Sequence, residues 1–97
     1  MKSYTIAKAS GAPGWDAIDP LRADCVLWEP DCGVRMEQKL CYDDSALYVF
    51  QRAWESDIRA ECSAPLSPVH EDSCMEFFFQ INPETDGRYL NFETNCL

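Results

Sequence analysis

Residues 71–95 read EDSCMEFFFQINPETDGRYLNFETN, and this stretch decides the fold. Residues 74–81 form a strand by pattern. Met75, Phe77, Phe79 and Ile81 fall on one side, and Cys74, Glu76, Phe78 and Gln80 on the other. Such a period of two is the mark of extended backbone with one face toward a core. The segment Asn82-Pro83-Glu84-Thr85-Asp86-Gly87 is a turn: Pro fixes φ, Asn and Asp bond to nearby backbone, and Gly relaxes the chain. Residues 88–95 then return as a second strand. Its apolar side carries Leu90 and Phe92, with Thr94 between Phe92 and Cys96; its polar side carries Tyr89, Asn91, Glu93 and Asn95. The stretch is therefore an antiparallel hairpin with one apolar and one polar face.

Working outward gives a second hairpin. In residues 33–42, Val34, Met36, Leu40 and Tyr42 alternate with Arg35, Glu37 and Lys39. Tyr42-Asp43-Asp44-Ser45 is a turn, and Asp43-Asp44 is turn chemistry. Residues 46–54 follow as an aromatic and β-branched strand, with Leu47, Val49, Gln51 and Ala53 on one face and Tyr48, Phe50, Arg52 and Trp54 on the other. Residues 57–72, with Pro65 and Pro68, are a long irregular connection, a class of loop that often carries function. Nearer the start, residues 3–7 suit a short strand and residues 10–14 break the chain. Residues 15–22 are ambiguous, because Trp15, Ile18 and Leu21 have helical spacing but Pro20 opposes a long helix. Residues 30–33 are a turn. Short antiparallel strands without helices predict an all-β protein, an antiparallel β-sandwich of jelly-roll kind, in a single domain over residues 1–97.

The formal net charge of −9 repels phosphate backbones and anionic lipid, so nucleic acid and membrane are not expected partners. The six cysteines (Cys25, Cys32, Cys41, Cys62, Cys74 and Cys96) include no C-x-x-C pair. With a single histidine they make no zinc site. The first residues carry no apolar signal core, so a cytoplasmic location with free thiols is the default expectation, and Cys41 and Cys74 read as small buried apolar groups.

Three segments together resemble the family 9 carbohydrate-binding modules. They are Tyr42-Asp43-Asp44-Ser45-Ala46-Leu47-Tyr48-Val49, Glu71-Asp72-Ser73-Cys74-Met75-Glu76-Phe77-Phe78, and Tyr89-Leu90-Asn91-Phe92-Glu93-Thr94-Asn95, with Trp15-Asp16 fitting the opening of that domain. The resemblance implies a non-catalytic β-sandwich that binds mono- or oligosaccharides, often at the reducing end, and accompanies glycoside hydrolases in polysaccharide catabolism. It also implies that this chain corresponds to the first half of the module. Glu76 matches a carboxylate that binds sugar hydroxyls in xylanase-associated members. His70, with Val69 beside it, falls near one of two tryptophans that clamp the sugar there. Glu93 falls where those members have arginine, and the second clamping tryptophan would lie beyond Leu97.

Sugar recognition needs flat apolar faces and planar polar groups that pair with hydroxyls. The polar face of the hairpin supplies the second, so His70, Glu76, Gln80, Asn91, Glu93 and Asn95 are the candidate carbohydrate-binding residues. A plain solvated face of a two-sided sheet fits the same pattern. Trp15, Trp28 and Trp54 are read as packing residues before stacking ones. No cofactor is expected; Asp43, Asp44, Asp57, Glu71 and Asp72 are oxygen ligands suited to a structural calcium ion, without EF-hand spacing. Other readings stand beside sugar binding. One is an interaction domain that has lost the sugar and pairs through its open edge as a homo-oligomer or with a complementing second half. Another is a haem-binding sandwich using His70 and Met75, and a third is a glycosidase using Glu76 and Glu93 as its carboxylate pair.

Overall fold

A computed structural model describes residues 2–27 and 33–97. Trp28 and Cys32, and most of the turn read at 30–33, lie outside the described residues. The chain is all-β with two sheets, as a β-sandwich requires. Its contacts divide it into two compact units, Met1–Ser56 and Asp57–Leu97, each with its own sheet.

In the first unit, β1 is Ala7–Lys8, β2 is Leu21–Ala23, β3 is Arg35–Tyr42 and β4 is Leu47–Trp54. β3 and β4 pair antiparallel along their full length, from Arg35 opposite Trp54 to Tyr42 opposite Leu47. β2 runs antiparallel to the first half of β3, and β1 runs parallel to its end, with Ala7 opposite Cys41. β3 is thus the central strand. That explains why its polar members Glu37, Gln38 and Lys39 are half-buried and why Leu40 and Cys41 form the buried core.

The structure corrects the sequence reading at the start of the chain. The first strand is Ala7–Lys8, not 3–7, and its pairing is parallel. A parallel pair needs a long crossover. Here the crossover holds β2 and a 3₁₀ turn at Trp15–Ala17, which resolves the ambiguous stretch 15–22. That turn is held from above the sheet. The Trp15 ring lies 5.4 Å from Phe50, and Lys39 Nζ donates to the Trp15 carbonyl at 2.8 Å. Lys39 and Phe50 are cross-strand partners, so one patch of sheet holds the turn. Trp54 also serves packing: the Arg35 guanidinium sits 4.0 Å from its ring centroid, a contact worth about 0.5–1 kcal/mol at an exposed site.

The β3–β4 turn is built on Asp43. Its Oδ1 accepts from the Ser45 amide (2.8 Å), the Ser45 hydroxyl (2.9 Å) and the Ala46 amide (2.9 Å), and its Oδ2 accepts from Tyr48 (2.7 Å). These donors, the Ser45 amide first, lower the Asp43 pKa to about 2. The Asp43 carboxylate is fully used by the turn.

In the second unit, β5 is Met75–Phe79 and β6 is Leu90–Thr94, paired antiparallel with Phe77 opposite Phe92. The alternation predicted for both strands is observed. Met75, Phe77 and Phe79 share a face with Thr94, Phe92 and Leu90, while Glu76 and Phe78 share the other with Glu93 and Asn91. The connecting turn closes on Asn82, whose carbonyl accepts from Thr85 (3.1 Å) and Asp86 (2.8 Å).

The long connection 57–72 is irregular, as expected, but tightly tied down. Arg59 and Ser73 exchange two hydrogen bonds: Arg59 N donates to Ser73 Oγ (3.0 Å) and Ser73 N donates to the Arg59 carbonyl (2.9 Å). Asp72 is the buried anchor, with its side chain 1% exposed. Its Oδ2 accepts from Glu61 N (3.0 Å), Cys62 N (2.8 Å) and Asn95 Nδ2 (2.9 Å), and its Oδ1 lies 3.6 Å from Arg59 Nε. One carboxylate therefore joins the loop to the end of β6. The amide of Cys62, ahead of the other donors, holds the Asp72 carboxyl below the usual carboxylate range.

Candidate functional site

The polar face of the β5–β6 hairpin gathers four of the six residues expected from the sequence. Glu76 and Glu93 are direct cross-strand partners, and two like charges in that relation repel. Asn91, one side-chain step away on β6, reconciles them. Its Nδ2 donates to Glu76 Oε2 at 3.2 Å and to Glu93 Oε1 at 3.1 Å. The two hydrogens of one amide thus bridge two carboxylates. Asn91 Oδ1 is shielded from solvent and accepts no hydrogen bond, so the carboxylates alone orient the amide. His70 enters from the 3₁₀ turn Val69–Glu71, and its Nδ1 lies 4.0 Å from Glu93 Oε2.

Gln80 and Asn95 are turned to other partners. Gln80 lies past the end of β5, and its Nε2 donates to the Gly87 carbonyl at 3.3 Å, bracing the turn. Asn95 Nδ2 donates to the Cys62 carbonyl (2.7 Å) and to Asp72 (2.9 Å), so it fastens the loop. Both follow from tertiary contacts that alternation along a strand does not encode.

The remaining chemistry of the face is quiet. Burial, followed by the Glu76 and Glu93 carboxylates, pushes the Cys74 thiol up. The Cys62 thiol is also raised, by burial first and then by Asp72. A thiol held protonated is a poor nucleophile. Cys41 is buried as expected, whereas Cys74 is half-exposed. Met75 sits on the apolar face with Phe77, while His70 approaches Glu93 on the polar face, so the two groups considered for haem belong to different faces. Among the described residues, no three His, Cys, Asp or Glu side chains assemble into a metal-binding group.

The face as built offers an exposed carboxylate pair held at fixed spacing by an amide. Carboxylates accept strong, short hydrogen bonds from neutral hydroxyls. The sequence profile of carbohydrate-binding family 9 matches residues 15–97. The chain belongs to carbohydrate-binding family 9. The match includes β2 to β6 and every residue of this face. A family 9 module is in general a non-catalytic binder of saccharides, which accords with a face rich in acceptors and poor in activated nucleophiles. No curated protein and no solved structure matches the chain significantly.

Two exposed residues of this face were not among the sequence candidates. Phe78, 58% exposed, and Tyr89, 63% exposed, stand beside Asn91 with their ring centroids 5.6 Å apart. Their signal was present in the sequence: each is an aromatic residue at a position where the alternation calls for a polar one.

Proposed function

We propose that the Glu76–Asn91–Glu93 face binds a mono- or oligosaccharide through hydrogen bonds from sugar hydroxyls to the two carboxylates. The observation that carries this reading is the bridging amide. It holds two acceptors in fixed relation on an exposed sheet face, which suits paired hydroxyls and gives little to an anionic ligand. The module then serves a glycoside hydrolase by holding it on its polysaccharide, with no bond made or broken here. Calorimetric titration of the whole chain with a panel of mono- and oligosaccharides is the test. At least one sugar binds, and Glu76→Ala weakens it about tenfold, the value of one charge-assisted hydrogen bond. Unchanged affinity in that variant removes Glu76 from the site.

A further inference from the structure

The acceptors of the Glu76–Asn91–Glu93 face explain how hydroxyls are held, but they leave the apolar face of a sugar ring without a surface. A ligand site in a protein couples a few fixed polar groups to aromatic area. His70 enters beside Glu93, with its Nδ1 4.0 Å from Glu93 Oε2. The stacking surface must come from elsewhere on the same face if the site is to enclose a sugar.

From the register and the ring contacts we infer that Phe78 and Tyr89 supply that surface, an inference that rests on the saccharide reading proposed above. Phe78 is the direct cross-strand partner of Asn91, so its side chain leaves the sheet on the same side as the bridging amide. Side chains two residues apart on a strand are separated by about 7 Å. The ring of Phe78 thus begins one step from the Glu76 carboxylate. Tyr89, just before β6, precedes Asn91 by two residues and brings its ring against Phe78, with the planes tilted by 50°. The pair forms a shallow aromatic corner, and the carboxylates lie along one side of it. A sugar ring laid on this corner by its C–H face presents its edge hydroxyls to Glu76 and Glu93.

The exposure of these rings supports the assignment. On the polar face of an alternating hairpin the two rings meet in one exposed aromatic patch instead of standing singly. Aromatic C–H stacking is sequence-local here, because both rings belong to the hairpin that carries the acceptors.

The test is proton NMR of a binding sugar with wild-type protein and with Phe78→Leu, Tyr89→Ala, Tyr89→Phe and Glu76→Ala, each first checked for a wild-type circular dichroism spectrum. Phe78→Leu keeps an apolar strand residue and removes the flat face. In the wild type, the ring C–H protons of the sugar shift upfield on binding. That shift shrinks and affinity falls at least fivefold in Phe78→Leu and Tyr89→Ala, while Tyr89→Phe, which keeps the ring, keeps the upfield shift. Full affinity and an unchanged shift in Phe78→Leu and Tyr89→Ala, with affinity lost in Glu76→Ala, overturn the aromatic platform and leave the carboxylate site standing. Sugar binding that survives all four substitutions overturns both, as does the absence of any sugar that binds the wild type.

Discussion

Replacing Asp72 with alanine lowers the melting temperature on the order of 10 °C. Three donors lose their acceptor at once: Glu61 N, Cys62 N and Asn95 Nδ2. Arg59 loses its buried counter-ion in the same step. Leaving buried donors unpaired costs more than the bonds themselves contributed, since each had given up water to reach the carboxylate. The loop 57–72 then loses its carboxylate tie to the end of β6, and the Asn95–Cys62 bond, the Arg59–Ser73 pair and the short turns are left to hold it. Scanning calorimetry checks the size of the loss. The pH dependence checks its cause. The folded pKa of Asp72 lies below its ordinary value, so the unfolded chain takes up the proton first as pH falls. Its contribution is complete above the ordinary carboxylate range. It is lost as pH drops through that range and then through the folded value. The gap in melting temperature between wild type and Asp72→Ala is therefore constant above about pH 5 and narrows below about pH 4. Both proteins keep some acid sensitivity, because Asp43, with its pKa lowered to about 2, loses its turn bonds in the same direction. A gap that is the same at pH 3 as at pH 7 refutes the assigned role.

Legibility in the sequence followed the range of the forces involved. β3 to β6 are visible because each alternates over enough residues to show its period, and each is joined to its neighbour within a hairpin. Their faces follow from the same rule, which placed Glu76, Asn91 and Glu93 together before any contact was known. β1 and β2 are two and three residues long, too short for a period, and exist because β3 offers them a free edge far along the chain. Asp72 shows the same limit from another side. As a sequence residue it was one acidic group among several suited to calcium. Its burial depends on the return of residues 59–62, which no local pattern announces. Gln80 and Asn95 have the right alternation for the site, but their amides are spent on Gly87 and on Cys62 with Asp72. Alternation says which side of a sheet a residue leaves; it does not say what waits there.

Asn91→Ala weakens saccharide binding about a hundredfold, more than loss of either carboxylate alone. In the proposed site Asn91 is a positioning residue: Glu76 and Glu93 would hold the sugar, and the Asn91 amide donates to both of them. Without it, two charge-assisted contacts loosen together, which at about 1.5 kcal/mol each amounts to roughly that factor. The substitution also exposes the repulsion between directly paired carboxylates, a cost of about 1 kcal/mol. These two effects separate cleanly. Adding Glu93→Gln to Asn91→Ala removes one of the two charges, so the double variant regains stability while its affinity stays low. Raising the salt concentration likewise restores the melting temperature of Asn91→Ala without restoring its affinity, because screening weakens repulsion but supplies no orientation. A packing role for Asn91 predicts the opposite: stability that neither Glu93→Gln nor salt returns. Wild-type affinity in Asn91→Ala, measured by calorimetric titration with the sugar that binds the parent chain, shows that the carboxylates hold their positions without the bridge.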